Sequence, residues 1–224
     1  MNNARHLVVL IATLLNCAVL SDAARAQDVA RDYYAAGSDR TATAALRNLD
    51  RNHYQPAVKQ LQDRHYRSAL ANLDFMLKYF PNHPQALAKV AEFGLATQRT
   101  DIAEQRFKDA LARYPGDDET YVIYGTFLQK LGRVDAAIRE YNKAIEIDPE
   151  SVYAHYNLGL SYVDRKEYQQ ANIHAQKAYR LGAGFPGLRM KLQAVGAWNQ
   201  EAGTSSDSTS PSASSPPKGP GKPN

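Results

Sequence analysis

Histidines, one cysteine, clustered serines and paired carboxylates are the side chains with which this 224-residue chain could do chemistry. Downstream of residue 26 the histidines are His53, His65, His83, His155 and His174. No two of them stand four apart, the spacing that turns two imidazoles toward one metal ion on a helix face. Cys17, the only cysteine, lies inside an apolar N-terminal run, so neither a thiolate metal site nor a thiol nucleophile is expected beyond it. Seven serines fall within residues 201–224 beside five prolines, where no packed base or oxyanion hole could be organised around them. Gly182, Gly184 and Gly187 are irregularly spaced and do not follow a strand, so they make no phosphate loop. The densest carboxylate group, Asp117, Asp118 and Glu119, reads as the capped, acidic first turn of a helix. The expectation is therefore a non-enzyme with no catalytic residue, no metal and no cofactor.

The elements that position these side chains announce themselves by a period. Pro81, Pro115 and Pro149 are 34 residues apart, and Ala69, Ala103, Ala137 and Ala171 keep the same interval. The period divides the chain into units 50–83, 84–117, 118–151 and 152–185. Position 8 of each unit is small (Ala57, Ala91, Gly125, Gly159), and so is position 20, the alanine just named. Position 24 holds Leu73, Phe107, Tyr141 and Ala175, one helical turn on, and position 27 holds Met76, Ala110, Ala144 and Ala178. Small residues at fixed places are a packing rule, because a bulky side chain there would hold two helices apart. A repeat of this length predicts stacked pairs of helices with an extended curved surface, an architecture suited to binding.

Tyr124-Gly125, Leu128, Ala137, Tyr141, Ala144 and Pro149, and then Leu158-Gly159, Tyr162, Ala171 and Ala178, carry a resemblance to the tetratricopeptide repeat, or TPR, family. The resemblance runs over roughly residues 50–185. It implies an all-α fold, a right-handed α-solenoid of about four helix pairs, closed by a capping helix over 186–200. The first unit is degenerate, with Pro56 and Gln60 at positions 7 and 11, and its first helix is predicted to start near Pro56 and to be short. Unit two departs at Gly94, where the family pattern has Tyr. Asn82-His83-Pro84, Asp117-Asp118 and Asp148-Pro149-Glu150-Ser151 supply helix-start chemistry at the unit boundaries. Gly132 and residues 164–167 supply the turns inside the third and fourth pairs.

The ends differ from the middle. Residues 1–26 read as a secretory signal peptide, with Arg5 and His6 ahead of an apolar run from Leu7 to Leu20 and Ala24-Arg25-Ala26 as the cleavage signal. That run is shorter than the ~20 residues of a membrane span, so no span is expected after cleavage. Residues 27–49 form a polar segment and a lead-in helix, in which Ala42, Ala45, Leu46 and Leu49 share a face. Leu188, Met190, Leu192, Val195 and Trp198 are placed to cover the end of unit four. The Ser/Pro-rich stretch 201–224 lacks the apolar residues needed to order itself. Without mature cysteines or an Asn-x-Ser/Thr sequon, a Gram-negative periplasm is the favoured location, secretion more broadly the next, and a retained signal anchor in the inner membrane the less favoured alternative. Removing Arg5, Arg25 and Asp22 leaves 25 basic against 22 acidic residues, interspersed, which does not suit nucleic acid.

The resemblance also assigns faces. Its first helices line a concave surface through positions 2, 5, 6, 9, 12 and 13, which nominates Tyr54, Val58, Glu92, Val122, Thr126, Gln129, Tyr153, Tyr156, Asn157 and Leu160 as a partner-binding groove. The Lys and Asn by which some members grip a terminal carboxylate, at positions 5 and 9, are replaced here by Tyr, Ala, Val and Tyr, and by Val, Glu, Thr and Leu. The expected function is that of an interaction module or scaffold of the cell envelope whose partner is another protein or peptide segment; the alternative is a self-associating structural spacer, a homodimer with no peptide ligand. Repeat packing is assigned to Ala69, Ala103, Gly125, Ala137, Gly159 and Ala171, with Pro81, Pro115 and Pro149.

Overall fold

The computed structural model describes residues 30–199, and among these it contains helices, turns and loops but no strand. The signal-peptide and Ser/Pro-rich readings lie outside the described residues. A single 3-10 turn, Ala35–Ser38, leads to α1 (Arg40–Leu49), which starts on Asp39, whose carboxylate accepts from the Thr41 amide. Then follow α2 (Gln55–Gln62), α3 (Tyr66–Tyr79), α4 (Pro84–Thr97), α5 (Thr100–Arg113), α6 (Asp118–Lys130) and α7 (Val134–Ile147). The series ends with α8 (Val152–Asp164), α9 (Tyr168–Arg180) and α10 (Gly187–Ala194). Each helix packs on its neighbours in sequence, and the first helices of units two, three and four also touch in turn, which makes a solenoid of antiparallel pairs. The period holds in space: second helices begin at Tyr66, Thr100, Val134 and Tyr168, each 34 residues after the last.

The first unit departs from its expected beginning. The α-helical part starts at Gln55 and is eight residues long, as expected, but residues 50–54 form a π-helical turn that joins it to α1 without a break. Pro56 has no amide to donate and its ring crowds the carbonyl four residues back. Widening the helix by one residue resolves the conflict, and the Gln55 amide bonds the Asp50 carbonyl five residues behind it.

Position 15 is the hinge of every pair. Arg64, Gln98, Gly132 and Lys166 all adopt positive φ, between 58° and 73°, although glycine occupies the site in only one unit. In units one, three and four the amide just after it returns to the carbonyl at position 11: His65 to Gln60, Arg133 to Leu128, and Glu167 to Tyr162. This closure satisfies carbonyls that the helix end would leave bare.

Ala69, Ala103, Ala137 and Ala171 are all fully buried. A Cβ on Gly125 would stand 2.6 Å from the Tyr141 ring, and a Cβ on Gly94 would stand 2.9 Å from that of Ala103. Gly94 thus departs from the family pattern because α4 and α5 approach too closely there for a side chain. Ala137 lies in the equivalent crossing of α6 and α7, and Ala137→Leu is expected to cost about 1–3 kcal/mol by overpacking it. A thermal melt that matches the parent would refute that account.

The prolines do not share in the packing. Pro115 and Pro149 are exposed and Pro81 is half-buried, each in the turn after a second helix. Their contribution is to stop the helix, because proline cannot continue the ladder. The capping helix is shorter than the sequence suggests, ending at Ala194. Leu188 and Leu192 are fully buried with Ala171 and Ala175, whereas Met190 and Val195 are 61% and 47% exposed. Trp198 follows the helix end and meets the Tyr179 ring edge-on, with the Arg189 guanidinium over both rings.

Candidate partner-binding groove

Stacking places the first helices side by side, and the gaps between them differ. Between α4 and α6 lies an open recess of about 630 Å³, lined at concave positions by Ala88, Lys89, Glu92, Leu95, Ala96, Ile123, Thr126 and Lys130, with Ala91 and Phe127 beneath. Lys89 and Glu92 form an ion pair at 2.7 Å across one helical turn. The recess exists because position 5 of unit two is Ala88, where units one and four carry Tyr54 and Tyr156.

The gap between α6 and α8 is spanned instead by a polar network. The Tyr141 hydroxyl donates toward Gln129 Oε1 at 3.1 Å and Thr126 Oγ1 at 3.3 Å. Gln129 Nε2 donates to Asp164 at 2.9 Å, and Asn157 Nδ2 reaches Thr126 Oγ1 at 3.4 Å. Burial pushes the Tyr141 phenol up to about 12, so it remains a proton donor across the ordinary pH range. Thr126, Gln129 and Asn157 therefore come together as the sequence suggests, but hold one another and stitch unit three to unit four.

The remaining candidates divide. Val122 is buried in the core at 7% exposure and cannot offer the contact expected of it. The Tyr156 hydroxyl accepts from the Leu188 amide at 3.2 Å, which ties it to the start of α10. Phe185 packs against the rings of both Tyr153 and Tyr156, at centroid distances of 5.8 and 5.4 Å. Leu160 joins the cluster around Leu188 and Leu192. Tyr153 stays 59% exposed, and Glu92 is exposed beside the recess.

At the other end the lead-in segment lies along the rim. Asn82 accepts from the Tyr33 amide and donates to Asp32, both at 2.9 Å. Tyr33 packs on His83, which also faces half-buried Tyr54, and the Tyr34 hydroxyl donates to Glu119 at position 2 of unit three. Val58 is half-buried in α2. His83 is itself the N-cap of α4, its Nδ1 accepting from the Ala86 amide at 3.2 Å. Burial pulls the His83 pKa down to about 4.

A second histidine feature has no counterpart among the expectations from sequence. His155 and His174 face each other with Nδ1 atoms 3.0 Å apart, on α8 and α9. The His155 Nε2 lies 3.1 Å from the Pro149 carbonyl and so carries the hydrogen, which leaves its Nδ1 to accept from His174. Burial and the neighbouring His155 lower the His174 pKa to about 4, and burial lowers that of His155. The signal was a spacing of 19, positions 4 and 23, which also brings His53 within 2.8 Å of Asn72 in unit one. Among the described residues no group of three or more His, Cys, Asp or Glu gathers as a metal site would need. Nor is any described helix long and apolar enough to cross a membrane.

Residues 54–118 match the family model described as "Tetratricopeptide repeat", and residues 128–165 match "TPR repeat". A solved structure, the subject of a functional characterisation of pilF from Pseudomonas aeruginosa, superposes with a TM-score of 0.54 at 22% identity, over 67% of this chain and 69% of that one. TTC0263, a thermophilic TPR protein of Thermus thermophilus, superposes with a TM-score of 0.50 at 21% identity, over 66% and 84%. At these identities the likeness is one of fold. The chain is also 25% identical over 122 residues to mouse protein O-mannosyl-transferase TMTC3, and 28% identical over 92 residues to the human protein. Those stretches cover 54% and 41% of this chain but 13% and 10% of the relatives, so the shared part is a small fraction of each transferase. With the 34-residue period, the paired helices and both model matches in agreement, the chain carries tetratricopeptide repeats stacked as an α-helical solenoid.

Proposed function

We propose that this protein is a non-catalytic interaction scaffold of the cell envelope that holds a segment of another protein in the concave groove of its first helices. TPR arrays generally mediate protein–protein contacts, and the observation that carries the groove reading is the open recess between α4 and α6, bordered by concave positions. The polar network and the cap cover the groove farther along, so Ala88 and Glu92, beside the open recess, are the residues through which a partner would enter, with exposed Tyr153 a separate contact beyond the network. The envelope location rests on the cleavage signal at Ala24-Arg25-Ala26 and the cysteine-free remainder.

Photocrosslinking in intact cells tests the reading, with the crosslinker at position 88 and a control at Lys143, an exposed residue of the second helix of unit three. Adducts of a second protein from position 88 alone are the expected result. Adducts of twice the chain's mass would indicate a homodimer instead, and equal labelling from both positions would refute a groove. Mass spectrometry of the protein from the periplasmic fraction is expected to find Gln27 at the amino terminus.

A further inference from the structure

The recess between α4 and α6 limits what can fill it. Buried Ala91 and Phe127 lie at its base, with exposed Ala88 and Ala96 and half-buried Leu95 and Ile123 around them. Its volume, about 630 Å³, lies within the ~300–1,000 Å³ of ligand-sized pockets. The apolar residues at its base give water nothing to bond and a flat apolar group much to gain, while Lys89, Glu92, Thr126 and Lys130 supply polar atoms around them.

Charge at the rim is uneven. Glu92 is neutralised by Lys89 on the same helix. Lys130, exposed at the end of α6, has no ion-pair partner among the described residues. One uncompensated ammonium beside an apolar hollow attracts a carboxylate next to an apolar group, and also the face of an aromatic ring.

Resting on the groove reading above, we infer that the recess takes an aromatic side chain of a partner segment that carries an acidic residue close to it, with Lys130 meeting the carboxylate. Ala88 sets the selectivity for the ring and Lys130 that for the acid.

The test is a selection of phage-displayed random peptides on the full chain, followed by affinity measurements with the synthetic peptides recovered. Peptides that pair Phe, Tyr or Trp with Asp or Glu are expected. Their binding is expected to weaken at least tenfold on Ala88→Trp, which fills the hollow from its rim, and on Lys130→Glu, with helical circular dichroism unchanged in both. Peptides that lose affinity on Ala88→Trp but lack the aromatic–acidic pair would overturn this ligand chemistry and leave the groove standing. Peptides indifferent to both substitutions, or no enriched peptide at all, would overturn the inference and count against the groove as well.

Discussion

Acidification from about pH 7 to about pH 4.5 is expected to cost the folded array roughly 2.5 kcal/mol through His83 alone. The imidazole is 5% exposed, and burial sets its folded pKa at about 4 against an ordinary 6.5. Between those values the unfolded chain binds the proton and the folded chain does not. Stability is therefore complete above the unfolded value and drains away as pH falls toward the folded one. Protonation at Nδ1 also removes the acceptor that caps α4 and puts a cation at the positive end of its dipole. Asp50 favours the charged form, but burial outweighs it.

The His155–His174 pair adds in the same direction. A proton on His155 must go to Nδ1, where the His174 hydrogen already points, and Lys177 disfavours a second cation nearby. His174 is partly exposed, so its share is smaller than its shift alone implies. Asp117 and Glu140 oppose the trend at the acid end: burial raises both, so the folded state holds their protons more tightly. Urea midpoints across this pH range provide the measurement. His83→Asn keeps a capping acceptor without a titrating group and is expected to flatten the profile by about one proton. An unaltered slope in that variant would sink the assignment to His83.

The second large effect is expected at the cap, where Leu188→Ala should destabilise the protein by about 2–5 kcal/mol. Leu188 is fully buried, and its Cδ2 lies 2.6 Å from where a Cβ on Gly159 would stand. Truncation opens a cavity against Gly159, Ala171 and Ala175, small residues that cannot close over it. Met190→Ala on the exposed face of the same helix is expected to change stability by no more than about 0.5 kcal/mol. Equal melts for the two variants would contradict this placement of the cap. Hydrogen exchange should show the loss first in the α8 and α9 amides, since each unit leans only on its neighbours.

Much of the solenoid was legible because its rule is one of size. Small residues at positions 8 and 20 can be read from a string of letters, and both lie in the packed crossings. The helix that runs through Pro56 was not, because a proline reads as a start or a stop, while a π turn leaves no mark of its own in composition. The groove was legible only as a face. Which of its residues are engaged in internal contacts depends on partners distant in sequence: Tyr156 on Leu188, Gln129 on Asp164, Tyr34 on Glu119. The histidine pair was missed for a related reason. A four-residue spacing reports imidazoles that share one helix, whereas this pairing runs across two.

Position 24 has a consequence for the length of the array. In units one to three the bulky residue there, Leu73, Phe107 or Tyr141, belongs to the unit it fills, and in unit four Ala175 leaves the place to a side chain from beyond the repeat. A fifth pair grafted after Arg180 in place of α10 would find its predecessor hollow unless Ala175 were enlarged as well. One small residue thus works as a terminator: it makes the fourth repeat depend on an ending, and so fixes where this protein stops counting.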